Sequence, residues 1–259
     1  MSIYFQSRRS PVLSRYGMVA SSQHLVSQVG QQILKSGGNA VDACVAMNAV
    51  LGVVEPTSTG LGGDCFVLFY DNSKKKVFGL NGSGRTSQLL THEYVKQQQL
   101  NSKKVHIFHA LNATVPGNVC GMLDLLSKFG TFSREKVLLP AVTLAEKGFP
   151  VNVITSYLWH EGTPQLKLSK NGHELLIPND RQANSKAFPN NDFHAPKPGE
   201  LFKNPYVAKV LRNIISHGKD GFYSGDVADA LVSVVQEHKG LLTLDDLAKH
   251  TSTWVDPIS

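Results

Sequence analysis

The stretch from Gly37 to Arg85 limits the possible folds of this chain more than any other. Its residues 40–54 are almost all small and apolar, so a helix there has no polar face and should be fully buried. Asn39 precedes this run and Asp42 stands three residues on, which is the pattern of a capping box. A glycine-rich loop and an apolar strand follow. This order of helix, loop and strand predicts a layered α/β core.

A β-hairpin is predicted directly after the buried helix. Strands at 65–70 and 76–81 flank a polar turn at 71–73, where Asp, Asn and Ser favour a change of direction. The first strand is continuously apolar and does not alternate, which predicts that both of its faces are covered. The hairpin leads the chain to a second glycine-bearing loop that ends at Arg85.

The flanking segments carry further strand and helix signals. Residues 17–20 predict a short strand, and Ser21 or Ser22 is expected to cap the helix that follows. Residues 85–259 are predicted to be mostly helical, with a kink or break at Pro140 and a flexible insertion at 160–203. The apolar periodicity predicts helices beginning near Thr114 and ending at Gly130, and at 133–147, 205–217, 226–238 and 244–249.

The composition argues against nucleic-acid binding and against a membrane span. The net charge is +6, but the basic residues are scattered, and the longest run, Lys74-Lys75-Lys76, is interpreted as a solvated hairpin tip. No stretch reaches the roughly 18 apolar residues of a transmembrane helix. The first 16 residues lack the hydrophobic core of a secretion signal, which favours a cytoplasmic protein. The alternative is a mitochondrial transit peptide, because no acidic residue precedes Asp42.

The cysteines and histidines form no recognisable framework. Cys44, Cys65 and Cys120 share no metal-site spacing and each lies in an apolar context, so a disulfide scaffold is not predicted. Cys65 follows a glycine loop but opens the apolar strand, so a core role is preferred over a nucleophilic one. The histidines are scattered, and no metal site and no cofactor is predicted.

Seven short runs, spread over nearly the whole chain, carry a family resemblance. They are GMVASS (17–22), GGNAVDA (37–43), EPTSTGLGGDCF (55–66), TVPG (114–117), EKGFPV (146–151), FYSGDVADAL (222–231) and GLLTLDDLA (240–248). Their order and spacing resemble the N-terminal part of the γ-glutamyltransferase, or glutathione hydrolase, family over about residues 16–259. The runs GLNGSGR and WVDPIS resemble the sequences of the YwrD-like branch of that family.

The resemblance implies an N-terminal nucleophile hydrolase fold, an αββα sandwich of which this chain forms part. Residues 1–16 would then be an N-terminal extension and residues 17–259 an incomplete domain. Family members cleave their own precursor before a threonine, whose hydroxyl attacks a γ-glutamyl amide such as that of glutathione. In the family that threonine lies beyond the point where this sequence stops. The resemblance therefore implies that this chain holds no catalytic residue and needs the small-subunit half of the precursor.

One substrate contact is expected from this part of the family, an arginine just after the second hairpin strand that holds the glutamyl α-carboxylate. The aligned position in this chain is Gly82, and the nearest arginine is Arg85. A guanidinium suits the task because its planar fork can bond both carboxylate oxygens. Two interpretations stay open: the glycine loop brings Arg85 into the same pocket, or Arg85 pairs with a structural acid.

The first glycine loop, residues 60–63, has two interpretations as well. It lies between a helix and a strand, whereas a phosphate-binding loop opens a helix, so close backbone packing is preferred. Asp64 ends this loop and is interpreted either as an acid near the site or as a residue that bonds within the loop.

Three functions remain open on these residues. The first is the large-subunit portion of an enzyme that hydrolyses glutathione or transfers its glutamyl group. The second is a related acylase-type amide hydrolase, which the glycine at position 82 favours. The third is a non-catalytic truncated paralogue that binds a partner.

Overall fold

The computed structural model describes residues 10–100, 106, 108–179 and 193–258. Within these ranges the helices are α1 His24–Lys35, α2 Ala40–Val54, α3 His92–Gln97, α4 Asn118–Phe129, α5 Arg134–Lys147, α6 Val153–Leu168, α7 Pro205–His217, α8 Asp220–Tyr223, α9 Gly225–Glu237 and α10 Leu244–Ala248. The strands are β1 Cys65–Asp71, β2 Lys76–Gly82, β3 Phe149–Pro150, β4 Ile177–Pro178, β5 Phe193–His194, β6 Leu201–Phe202 and β7 Thr253–Val255.

The main sheet joins the hairpin to the last strand of the described chain. Strands β1 and β2 pair antiparallel, with Cys65 opposite Gly82, and β7 pairs antiparallel with the other edge of β2, giving the order β1-β2-β7. The Asp71 carboxylate accepts the Ser73 backbone N–H in the turn between β1 and β2. The predicted hairpin is therefore confirmed, and Trp254 is brought opposite Leu80 from far along the sequence.

Helices cover one face of this sheet. Helix α4 packs against β1 and β2, while α2 packs against α1, α4 and α5, and α5 packs against α7. The close approach of α4 requires a glycine at position 121, because a Cβ there would overlap the Cys65 sulfur. The predicted layered combination of helix and sheet is confirmed.

The other face of the sheet is bare, so the prediction that both faces of β1 are covered is wrong for the described chain. Phe66, Leu68 and Tyr70 are 71%, 74% and 53% exposed, whereas Cys65 on the inner face is buried. Continuous apolarity indicates that a strand is fitted for burial on two sides, but it does not say which chain segment supplies the second cover. The three-stranded sheet and its helical layer form half of an αββα sandwich, and the two other sheets, β3-β6 and β4-β5, have two short strands each.

Helix α2 is capped as predicted but is not buried all round. Asn39 Oδ1 accepts the N–H groups of Val41 and Asp42, and the Asp42 carboxylate accepts the Asn39 N–H. Ala46 and Val50 are fully buried. Ala40 and Cys44 are exposed, which corrects the prediction of a fully buried helix.

The predicted strand at 17–20 does not form. These residues run along a groove of about 680 Å³ that they line together with α1 and α2. A strand requires a neighbour for its backbone hydrogen bonds, and the described chain places none beside this segment. Helix α1 then begins at His24 with Gln23 as its N-cap, so neither Ser21 nor Ser22 caps it.

Several other predicted features of the helical part differ in the structure. Helix α5 runs through Pro140 without a break, because the buried residues on both sides of the proline keep the helix packed. Helix α4 starts four residues after Thr114, and α9 starts at Gly225. The predicted insertion at 160–203 contains the second half of α6 and several short elements. Its residues 180–192 lie outside the described ranges.

Candidate functional site

Three loops meet at the end of the hairpin where Arg85 emerges. They are the glycine loop 60–64 before β1, the loop 83–85 after β2 and the segment 114–117 before α4. The Val115 N–H donates to the Arg85 carbonyl oxygen at 2.9 Å, and the Asn118 N–H donates to the Gly63 carbonyl oxygen at 2.8 Å. These contacts confirm the expected close backbone packing of the glycine loop.

Asp64 bonds the first loop to the second. Its Oδ1 accepts the Gly84 N–H at 2.8 Å, and its Oδ2 accepts the Ser83 hydroxyl at 3.4 Å. Asp64 is therefore a loop-bonding residue, although its partners lie in the second loop and not within its own. Its partners are the two residues immediately before Arg85.

The Arg85 side chain is exposed beside the last strand. Its Nη2 donates to Thr253 Oγ1 at 3.4 Å, and it forms no ion pair with any acid that the structure describes. A guanidinium with one neutral partner keeps most of its five donors free. Its role in substrate binding stays a prediction at this point, and a structural acid partner is not found within those ranges.

Gly82, the position at which the resemblance places the family arginine, faces into the molecule. It is buried opposite Cys65, and a Cβ at position 82 would lie 2.7 Å from the Cys65 sulfur and 2.9 Å from the Cys65 carbonyl oxygen. The carbonyl oxygen of Gly117 lies 3.4 Å from the same point. Position 82 therefore has no room for a side chain. The site is not one in which a glycine has simply taken the place of an arginine, because the surroundings of position 82 would not accommodate the arginine.

We expect Gly82→Ala to lower the free energy of unfolding by about 1–3 kcal/mol, because the added methyl group overpacks the contact between β1 and β2. Gly62→Ala in the glycine loop is the matched control, since a Cβ there would meet no atom within 4 Å. Urea denaturation of both variants measures the difference. Equal stability of the two variants would contradict the packing at Gly82.

A polar cluster that sequence reasoning missed lies behind the Arg85 loop. The Asp124 carboxylate accepts hydrogen bonds from Lys219 Nζ and Ser252 Oγ, both at 2.6 Å, and so ties α4 to the segment before β7. His250 in that segment is buried, and neither ring nitrogen has a partner among the residues described. Burial and the positive charges of Arg85 and Lys219 lower the pKa of His250, so its imidazole is neutral at pH 7. No local signal joins Asp124 to Ser252, because 128 residues separate them.

Cys65 is suited to packing rather than to chemistry. Burial, and next the nearby Asp64 carboxylate, raise the pKa of its thiol to about 11. The thiol is therefore protonated at neutral pH and is a poor nucleophile. This agrees with its position on the buried face of β1.

The described residues also bear on metal binding and on membrane crossing. No group of three or more His, Cys, Asp or Glu side chains is placed to hold a metal ion in this part of the chain. None of its helices is both long enough and apolar enough to cross a bilayer.

Comparison with known proteins finds similar chains across a single family. The family model described as Gamma-glutamyltranspeptidase matches residues 26–259. The Glutathione hydrolase-like YwrD proenzyme of Bacillus subtilis (strain 168) is 36% identical over 250 residues, which are 96% of this chain and 44% of that protein. This chain thus spans less than half the length of that curated relative.

Solved structures share the fold. The γ-glutamyltranspeptidase of Helicobacter pylori aligns with a TM-score of 0.82 at 26% identity, over 96% of this chain and 68% of that one. The cephalosporin acylase from Bacillus halodurans aligns with a TM-score of 0.78 at 33% identity, over 99% of this chain and 47% of that one. The predicted fold class, a partial N-terminal nucleophile hydrolase sandwich, is confirmed.

Proposed function

Because this chain belongs to the γ-glutamyltranspeptidase family, we propose that it is the large-subunit portion of an enzyme that cleaves γ-glutamyl amides such as glutathione. The enzyme would pass the glutamyl group to water or to another acceptor. A second portion of the precursor, called here the second half, would supply the threonine nucleophile and the freed α-amine that serves as its base. The chain itself would supply substrate recognition and the first sheet of the sandwich.

The observation that carries this proposal is that the Arg85 side chain is exposed and pairs with no acid in the described chain. Its guanidinium stands exposed where three loops meet at one end of the sheet, and Thr253 is its one side-chain partner in the described chain. A free guanidinium in a rigid setting is suited to a bidentate bond with a carboxylate. We therefore assign Arg85 to the glutamyl α-carboxylate.

The bare sheet face supports the requirement for a second half. Phe66, Leu68 and Tyr70 form an apolar stripe on the outer side of β1, and contiguous apolar surface of this kind marks a contact with another element. Residues 17–20, which form no strand in the described chain, line a groove beside α1 and α2 that is a second uncovered place. We propose that the second half covers the stripe and completes the sandwich.

Arg85→Ala in the full-length protein tests the proposal. It should reduce kcat/KM for a γ-glutamyl anilide by roughly 30- to 150-fold, because a charge-assisted pair contributes about 2–3 kcal/mol. The rate with an analogue that lacks the α-carboxylate should stay unchanged. Arg134→Ala, which removes an exposed arginine on α5, is the matched control and should leave both rates as they are.

Arg85→Lys sharpens the test. It should recover only part of the loss, because an ammonium group is a point charge that cannot bond both oxygens in the fixed planar geometry of a guanidinium. If Arg85→Ala slows both substrates equally, or neither, Arg85 is structural and the assignment is wrong.

An acylase-type amide hydrolase is the second candidate function. The packing around Gly82 favours it, because the position that carries the family arginine has no room for a side chain. The likeness to a cephalosporin acylase points the same way. Turnover of an acyl amide without an α-carboxylate, at a rate independent of Arg85, would support this alternative. The cytoplasmic location expected from the N-terminal residues stays a prediction in either case.

A further inference from the structure

The loop that carries Arg85 is held from two sides. On one side the Val115 N–H donates to the Arg85 carbonyl oxygen at 2.9 Å. On the other side the Asp64 carboxylate accepts the Gly84 N–H at 2.8 Å and the Ser83 hydroxyl at 3.4 Å. Gly84 packs closely against the Val115 side, since a Cβ at position 84 would overlap the Val115 carbonyl oxygen. Asp64 therefore holds the loop on the side opposite Val115.

Asp64 is itself anchored to the helical core. The Asn118 N–H donates to the Gly63 carbonyl oxygen at 2.8 Å, and Asn118 Nδ2 donates to the Gly60 carbonyl oxygen at 2.9 Å. Asn118 is buried at the start of α4, and its Nδ2 also donates to Asn48 Oδ1 of α2 at 3.1 Å. The backbone before Asp64 thus cannot shift without breaking the hydrogen bonds that Asn118 makes between this loop and the helices α4 and α2.

The contact between Asp64 and the Arg85 loop is a hydrogen-bond contact to its backbone and hydroxyl. Asp64 and Arg85 form no ion pair with each other in the described chain. The guanidinium is therefore left available while its backbone is held. An acid that neutralised Arg85 directly would compete with a substrate carboxylate, whereas one that bonds Gly84 does not.

We propose that Asp64 is a positioning residue that fixes the loop 83–85 and so determines where Arg85 meets the substrate carboxylate. This role rests on the proposed function of Arg85. Asp64 acts through the loop and does not touch the reacting atoms. The Asp64 oxygen that accepts the Gly84 N–H carries the effect, and the negative charge of Asp64 contributes little to it.

The test compares three variants of the full-length protein. Asp64→Ala should raise KM for a γ-glutamyl anilide about tenfold, as expected for the loss of one well-aligned hydrogen bond, with kcat changed little. Asp64→Asn should recover most of this loss, because its amide oxygen can still accept the Gly84 N–H. Asp71→Ala is the matched control, because Asp71 lies at the opposite end of β1 from Asp64 and likewise accepts hydrogen bonds from a nearby backbone N–H and hydroxyl, those of Ser73. It should leave KM unchanged.

The preference for the γ-glutamyl anilide over its analogue without the α-carboxylate separates positioning from folding. Asp64→Ala should reduce this preference and leave the rate with the analogue unchanged. An equal loss of rate with both substrates, or an unchanged preference, overturns the positioning role. A loss in Asp64→Asn as large as in Asp64→Ala overturns the claim that the acceptor oxygen carries the effect.

Arg85→Ala, measured in parallel, distinguishes the two proposals. If Arg85→Ala leaves the substrate preference unchanged, the proposed contact between Arg85 and the carboxylate is wrong. Hydrogen–deuterium exchange of the peptide that contains Gly84 then decides separately whether Asp64 holds the loop. Faster exchange in Asp64→Ala but not in Asp71→Ala supports the hold. Equal exchange in the two variants overturns it.

Discussion

Replacing Ala46 with glutamate is expected to unfold this chain. Ala46 has no exposed surface and lies in α2, which packs against α1, α4 and α5. An unpaired carboxylate at that place loses its hydration without gaining a partner, which costs several kcal/mol. The larger side chain also strains a closely packed interior. Because the whole stability of a folded domain is about 5–15 kcal/mol, little would remain. Circular dichroism during heating measures the loss of the cooperative transition.

Ala40→Glu is the matched control for this experiment. It places the same side chain on the same helix, at an exposed position in the first turn. There the helix dipole favours a negative charge by about 0.3–1 kcal/mol, so the variant should be as stable as the parent chain or slightly more stable. If Ala46→Glu melts cooperatively near the temperature of the parent chain, the burial of α2 described above is wrong.

Asp42→Ala is expected to lower the free energy of unfolding by roughly 3–5 kcal/mol, because it removes a buried hydrogen-bond centre. The Asp42 carboxylate accepts the Asn39 N–H, the Thr131 N–H and hydroxyl, and the Phe132 N–H, at distances of 2.6 to 3.1 Å. These bonds tie the start of α2 to the turn between α4 and α5. Chemical denaturation of the variant measures the change, with the exposed Asp229→Ala on α9 as the control.

The contribution of Asp42 should also depend on pH. Burial alone would raise the pKa of this carboxyl, but the hydrogen bonds from Thr131, Asn39 and Phe132 outweigh burial and lower it below the usual 3.8. A carboxyl whose pKa is lower in the folded state stabilises the fold above its unfolded pKa. That stabilisation is lost as the pH falls through the folded pKa. The stability gap between the parent chain and Asp42→Ala should therefore be constant above about pH 5 and shrink below pH 3.8. A gap that stays constant down to pH 2 would contradict this account.

The features that the sequence predicted correctly are local. The capping box formed by Asn39 and Asp42 involves residues three apart. The hairpin of β1 and β2 needs only two apolar runs and a polar turn between them. In each case the partners are neighbours in the chain, so residue type and spacing are sufficient.

The candidate site was only half visible in the sequence. Arg85 could be singled out because it follows the hairpin, and Gly82 because the resemblance places the family arginine there. The inward direction of position 82 follows from its pairing with Cys65 and from the approach of Gly117, which the spacing of residues does not reveal. The same holds for the bond between Asp64 and Gly84, which joins two loops 20 residues apart.

Residue spacing by itself determined the capped helix α2 and the hairpin, whereas Arg85 was singled out for carboxylate binding by the family resemblance. Only the tertiary structure decided which surfaces are covered. The strand expected at 17–20 does not form, and the outer face of β1 stays bare, although both segments have the composition of buried strands. Composition shows that a segment has apolar side chains suited to burial, because this property depends on the side chains alone. Whether it is buried depends on a neighbour, and a neighbour can be remote in sequence: β7, which pairs with one edge of β2, comes from more than 170 residues away.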